Sequence, residues 1–231
     1  MYVIRPARLT DKNGLLALIE NIGIGLTSLP HQPELMYEKI QASVEAFAAN
    51  VSKPKDERYF FVLEDLSNGE ICGCSGIYSR TGTTSPDEYF AVDEIINEHP
   101  LPHQPKKLKI LVLRSHRNGP SMLCSLFLSR HSRHGRLGRL LSLSRLLFIA
   151  SYPERFTQTL IASIRGQIES DGVCPFWEEV CRCFLDVDYP TLQQMQEVDK
   201  SFISKIHPRY PIYVCLLSKL AQSLIGQTHK N

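Results

Sequence analysis

The sequence predicts an α+β fold, a mixed and mostly antiparallel sheet with helices on both faces, and three observations carry that prediction. Short β-rich runs open the chain and return through its middle, two of them joined by the Asn68-Gly69 turn. Helical patterns stand between and after these runs, without the regular strand-helix alternation of a parallel sheet. A strand from Met122 to Leu128 leads through a basic, glycine-containing turn into a long apolar helix reaching Ala150. One domain over residues 1–231 is expected, because a chain of this length buries a good core and shows no internal repeat.

Tyr2-Val3-Ile4-Arg5-Pro6 reads as a short edge strand closed by proline. Thr10 or Asp11 then caps an amphipathic helix carrying Leu15, Leu16, Leu18 and Ile19, which Gly23 and Gly25 stop. A loop from Gly25 to Pro30 precedes a second helix from about Pro33 to Asn50. Thr27 and Ser28, small and polar in that loop, are candidate substrate contacts, with a plain helix connection as the competing reading. Tyr59 to Glu64 and Ile71 to Tyr78 flank Asn68-Gly69 and form a hairpin.

Residues 79–104 break any period and read as an irregular excursion or short helices. Lys107 to Arg114 is an apolar strand that turns at Arg117-Asn118-Gly119-Pro120 into Met122 to Leu128, a second hairpin. Beyond the apolar helix, Thr159 to Ile164 is another strand, and Pro175 opens a helix through Phe176, Val180 and Phe184 that leads to a strand at Leu185-Asp186-Val187. Helices from Met195 to Ile206 and from Tyr213 to Ile225 complete the chain.

A net charge of +2 is too small to argue for a nucleic-acid partner, so the local charge matters more. Arg130, His131, Arg133, His134, Arg136 and Arg139 crowd one turn, which suits a polyanionic small molecule. Gly135 and Gly138 let backbone N–H groups approach a phosphate, Arg133 stands at the start of the turn with Arg136 inside it, and the helix N-terminus adds partial positive charge. Arg130, His131 and His134 read as solvated. An RNA-facing patch would look similar, but the interleaved aromatics of single-strand binders are missing.

Seven cysteines form an odd set with no secretory leader ahead of them, which points to reduced thiols and a cytoplasmic location. The pairs Cys72/Cys74 and Cys181/Cys183 lack the two-residue spacer of zinc sites, so no metal is expected. No apolar run is long enough to span a bilayer, the best being interrupted by Ser142, Ser144 and Arg145. Arg145 and Arg165 are read as structural ion pairs.

The element order, the opening Ile4-Arg5-Pro6-Ala7 to Asp11 and the basic turn after the fourth strand resemble the GNAT (N-acetyltransferase-like) fold. In that superfamily the turn holds the pyrophosphate of coenzyme A, although Arg136 stands here where a glycine is often found. Gly25 to Pro30, Phe61 to Asp65, Leu123 to Leu128, Gly135 to Ser142, Pro175-Phe176-Trp177, Pro211-Ile212-Tyr213 and Ile225 to His229 more specifically resemble the arginine N-succinyltransferase family. The resemblance implies succinyl transfer from succinyl-CoA to the α-amino group of L-arginine or another basic amino acid, in arginine catabolism. It implies a succinyl-CoA contact at Leu126 through the backbone, a proton-donating role for His229, and a homo- or hetero-oligomer.

The departures gather where chemistry is expected. Met122 stands in place of a glutamate, Pro86 to Ala91 replaces a segment with tryptophan and arginine, and His116 or Arg117 stands where family members are acidic. The family's chain also continues past His229, so the match is to its N-terminal part and implies a C-terminally shortened chain. These features motivate a second reading, an impaired relative acting as a CoA-binding or assembly subunit.

Overall fold

Side chains that alternate along two central strands build the larger of two sheets in the computed structural model, which describes residues 1–20, 28–97, 106–169, 171–198 and 210–229. In chain order the strands are β1 (Tyr2–Pro6), β2 (Arg58–Asp65), β3 (Glu70–Tyr78), β4 (Asp87–Asn97), β5 (Lys106–His116), β6 (Ser121–Leu128), β7 (Leu160–Ala162) and β8 (Ile212–Tyr213). The helices are α1 (Lys12–Glu20), α2 (Pro33–Ala48), α3 (Leu137–Ser151), α4 (Arg182–Leu185), α5 (Tyr189–Val198) and α6 (Lys219–Leu224). Two compact units result, one from Met1–Thr84 with Arg117–Ser163, the other from Ser85–His116 with Ile164–Asn231.

The first unit holds a sheet in the order β1-β2-β3-β6-β7, antiparallel except for the parallel pair β6 and β7. Phe60, Val62 and Cys74 pack with Leu15 and Ile19 of α1 and Met36 and Ile40 of α2. On the other face Leu63 meets Leu137 and Leu141 of α3, while Tyr59 and Phe61 meet Phe148 and Ile149. Burial on both faces explains why β2 reads as a continuous apolar run. The result is the α+β class expected from the sequence, a mixed and mostly antiparallel sheet with helices on both faces.

Local chemistry sets the element boundaries. Asp11 accepts the Arg8 amide at 2.7 Å and closes a 3-10 turn at Leu9–Asp11 that runs into α1. Arg5 donates to both Asp11 oxygens at 2.7 and 2.9 Å and to Glu64 at 2.6 Å, tying β1 to that turn. Pro33 starts α2, where its missing N–H costs nothing. The turn between β2 and β3 closes as expected, with Gly69 at φ 74 donating to the Asp65 carbonyl at 2.8 Å.

The second unit holds a sheet in the order β4-β5-β8, all antiparallel. Leu111, Trp177, Val180, Cys181, Leu192, Val214 and Ala221 form its core. The indole N–H of Trp177 donates to the Val187 carbonyl at 2.7 Å, as a buried tryptophan requires.

Several expected elements differ. Residues 87–97 form a long strand, because the acidic side chains that hide its period face basic partners on β5, with Arg114 to Asp93 at 2.5 Å and Lys107 to Glu94 at 3.7 Å. The expected second hairpin does not form: β5 pairs with β4 and β8, and β6 with β3 and β7. The Asn118 and Gly119 amides bond the carbonyls of Gly82 and Thr81 instead. No strand forms at Leu185–Val187, where Asp186 closes α4 in the left-handed region at φ 48. The helix from Pro175 contains a π turn at Trp177–Cys181. Helix α5 starts before Met195 because Asp188 accepts the Thr191 amide at 2.8 Å, and residues 199–209 lie outside the described residues. The expected last helix is broken into β8, a 3-10 turn at Val214–Leu216 and α6, which Ser218 caps by accepting the Ala221 amide at 3.1 Å.

Candidate functional site

Strand β6 is the element on which a ligand could be built. Its register with β3 runs Gly76↔Cys124 and then Cys74↔Phe127, so β6 carries one extra residue opposite Ser75. Ser125 sits in that bulge at φ 53, and neither it nor Leu126 has a register partner on β3. On the other edge β7 borders β6 only at Ser121–Leu123. The backbone around Leu126, whose side chain is exposed, therefore lies along an open stretch of strand, as a contact through main-chain groups requires.

Ser28 reaches the same bulge. The Ser125 amide donates to Ser28 Oγ at 3.1 Å, and the Ser125 hydroxyl donates to the Ser28 carbonyl at 3.1 Å. Ser28 is thus a strand partner as well as a candidate contact, while Thr27, Gly23 and Gly25 lie outside the described residues. Gly76 makes the close packing possible, since a Cβ there would stand 3.0 Å from Cys124 Sγ.

From Leu128 the chain passes a 3-10 turn at Arg130–Ser132 and enters α3 through two consecutive left-handed residues, Gly135 at φ 58 and Arg136 at φ 61. No side chain caps α3. The amides of Gly135, Arg136, Gly138 and Arg139 have no backbone acceptor among the described residues, so four N–H donors are gathered at a helix N-terminus. Gathered backbone donors of this kind are able to receive an anion. Arg133 folds back, its Nε 3.4 Å from the Leu128 carbonyl, and Gly138 packs on Leu128.

The second unit positions His229. Thr228 bridges Gly166, and the His229 amide donates to the Arg165 carbonyl at 2.8 Å. The chain is thereby held in place up to this half-buried histidine rather than fraying before it. In the same unit one carboxylate oxygen of Glu88 is buried without a hydrogen-bond partner. Sequence reasoning misses Glu88 because it misses β4 itself; an acidic residue opposite Ser115 on a paired strand is the available signal.

Met122 is half-buried beside Ser163, whose hydroxyl lies 3.5 Å from its sulfur. Arg145, read as an ion pair, has no carboxylate partner among the described residues; its guanidinium bonds Cys124 and Ser142 instead. Cys72 and Cys74 cannot chelate together, because an extra residue in β3 turns Cys72 toward α3 and leaves Cys74 facing α1 and α2. Burial pushes the Cys74 and Cys181 thiols up to about 12, too high for a nucleophile near neutrality. Among the described residues no group of His, Cys, Asp and Glu is placed to hold a metal ion, and no helix is long and apolar enough to cross a membrane.

Comparison with known proteins decides the family. The family model described as arginine N-succinyltransferase beta subunit matches residues 2–231. The chain belongs to the arginine N-succinyltransferase family. Arginine N-succinyltransferase subunit alpha of Pseudomonas aeruginosa is 36% identical over 230 residues, covering 99% of this chain and 68% of that protein. Arginine N-succinyltransferase of Photorhabdus laumondii is 34% identical over 231 residues, covering 100% of this chain and 67% of its own length. The solved structure of arginine/ornithine succinyltransferase subunit AI from Pseudomonas aeruginosa superposes with a TM-score of 0.90 at 36% identity, over 100% of this chain and 67% of that one. The chain thus spans about two thirds of the length of these succinyltransferases.

Proposed function

We propose that this protein is an arginine N-succinyltransferase of arginine catabolism, transferring the succinyl group of succinyl-CoA to the α-amino group of L-arginine. The observation that carries the proposal is the run from β6 into α3, where an open stretch of bulged strand at Leu126 leads to four unclaimed amides at Gly135, Arg136, Gly138 and Arg139. The strand suits the amide-bearing pantetheine arm, and the turn suits the pyrophosphate, with Arg133 and Arg136 adding positive charge. Membership of the family, over nearly the whole chain, supports the acceptor and the acyl group.

Acyl transfer to an amine needs a neutral amine close to the thioester carbonyl, a donor for the developing oxyanion and a proton for the leaving thiolate. The Leu126 backbone N–H takes the oxyanion role in this proposal, since the Ser125 amide already donates to Ser28 Oγ. As the C–N bond forms and the C–S bond breaks, His229 is the proposed proton donor to the leaving thiolate, and the amine's proton passes to solvent. Ser28 and Thr27 form part of the acceptor side. Family membership supports arginine, ornithine or another basic amino acid as the acceptor. The subunit names of the relatives support an oligomer, and the free thiols support a cytoplasmic location.

The test follows coenzyme A thiol release on mixing the protein with succinyl-CoA and L-arginine. The proposal expects turnover, with His229→Ala slowing it by about 10²- to 10⁴-fold, the usual worth of a positioned acid. Met122 favours a second reading, because a thioether beside Ser163 provides no charge for a cationic acceptor. Absence of turnover together with thermal stabilisation by coenzyme A would establish that reading, a CoA-binding or assembly subunit.

A further inference from the structure

Three unfavourable features coincide at one level of the donor strand. Arg145 of α3 is only 4% exposed, yet among the described residues its partners are the Cys124 carbonyl at 3.3 Å from Nη1, Ser142 Oγ at 3.0 Å from Nη2 and the Ser142 carbonyl at 3.4 Å from Nε. Ser75 Oγ is buried with no hydrogen-bond partner. Ser125 is a non-glycine residue held at φ 53.

Topology puts these features together. A Cβ on Gly73 would meet Leu141 of α3 at 3.1 Å, so Gly73 faces α3, and Ser75, two residues on, shares that face. Phe61, the partner of Ser75 on β2, packs edge-on against Phe148. Between Leu141 and Phe148, α3 has one residue a full turn beyond Leu141 on the buried side, and that residue is Arg145. Ser75 therefore looks toward the turn that carries Arg145, and the bulge of β6 lies opposite Ser75.

A buried cation without a carboxylate opposes folding, and a buried apolar side chain of similar size would serve the core better. Strain and unsatisfied groups persist where function requires them. We propose that Arg145 is a positioning residue for the acyl-CoA donor. Its guanidinium holds the Cys124 carbonyl, which keeps Ser125 in the left-handed region and leaves the Leu126 main chain turned outward along β6 instead of closing onto β3. The inference rests on the donor reading of β6 given under Proposed function.

Arg145→Met and Arg145→Lys test it, with coenzyme A binding by calorimetry, KM and kcat for succinyl-CoA, and the thermal midpoint of each protein. Arg145→Met is expected to bind coenzyme A about tenfold more weakly, the worth of one backbone hydrogen bond to the pantetheine arm, with KM rising in step and kcat nearly constant. Its melting temperature should stay level or rise, and Arg145→Lys should recover part of the affinity because an ammonium can still reach the carbonyl. Unchanged affinity in Arg145→Met overturns the inference while leaving the donor reading intact. A melting temperature that falls together with affinity overturns it in favour of a purely structural brace. A wild-type chain that does not bind coenzyme A overturns the donor reading and this inference with it.

Discussion

The five-stranded sheet of the first unit buries apolar side chains on both faces, whereas the three-stranded sheet of the second carries charge across an exposed ribbon. On β2, Tyr59 through Leu63 are all buried, alternately against α1 and α2 or against α3. On β4, Val92 and Ile96 are 49% and 64% exposed, and Asp87, Asp93 and Glu94 pair with His116, Arg114 and Lys107 on β5. The first sheet buries apolar surface along its central strands on both faces, whereas the second packs Leu111 into its own core and carries exposed ion pairs that contribute little each along the β4–β5 ribbon. The difference makes a graded set of substitutions informative, since changing one strand side chain should cost very different amounts in the two sheets.

The largest effect is expected in the buried sheet. Phe60 is fully buried among Leu15, Met36 and Ile40 and carries the Lys39 ammonium 4.8 Å from its ring centre. Phe60→Ala should destabilise by about 3–5 kcal/mol, read from the shift of the urea midpoint at constant slope. A loss below about 1 kcal/mol, the range of a surface substitution, would erase the contrast between the sheets.

A middle effect belongs to Asp11, a buried carboxylate of the first unit. Burial pushes its carboxyl up, but the Arg5 guanidinium and the Arg8 amide outweigh that, and the net shift is downward. A carboxylate with a lowered folded pKa contributes stability above its unfolded value near 3.9, and that contribution fades as pH falls through the folded value. Asp11→Asn should cost about 2 kcal/mol at neutral pH, the scale of hydrogen bonds to a charged group, and should flatten the acid limb of stability below about pH 4. Urea titrations between pH 3 and 7 would show it; an acid limb as steep in the variant as in the wild type would assign the pH dependence to other carboxylates.

The same contrast explains what is legible in the sequence. Strands β1, β2 and β3 and helices α1 and α2 follow from apolar runs, Pro33 and the Asn68-Gly69 turn, because burial on one or both faces writes a period into the residues, although Asp11 closes the 3-10 turn before α1 instead of capping the helix. Strand β4 escapes such a reading because charged residues interrupt its apolar pattern, and a run such as Asp93-Glu94 carries no period until the pairing with β5 is known. The turn at Arg117 to Pro120 reads as a hairpin because turn residues specify a reversal, not the strand that is paired afterwards. Among the candidate residues, the glycines and arginines of the turn before α3 can be read directly, and the readings of Leu126 and of His229 come through family resemblance. The bulge at Ser125 and the burial of Arg145 cannot be read, since each depends on which residue stands opposite.

The smallest effect is expected on the ribbon, and it is the sharpest test of the contrast. Asp93 and Arg114 pair at 2.5 Å on β4 and β5, but their side chains remain 36% and 52% exposed. Water and salt screen such a pair, and ordering two long side chains offsets much of the attraction. Asp93→Asn should therefore cost at most about 0.5–1 kcal/mol at low salt, and most of that difference should vanish in about 0.5 M sodium chloride, where the screening length is well under about 10 Å. A double-mutant cycle with Arg114→Gln isolates the pair from the general effect of changing net charge. A coupling that persists undiminished in salt would mean that this pair is desolvated in the working protein. The ribbon would then be held by buried charge, and its exposure in the single chain would mark a face that the native assembly covers.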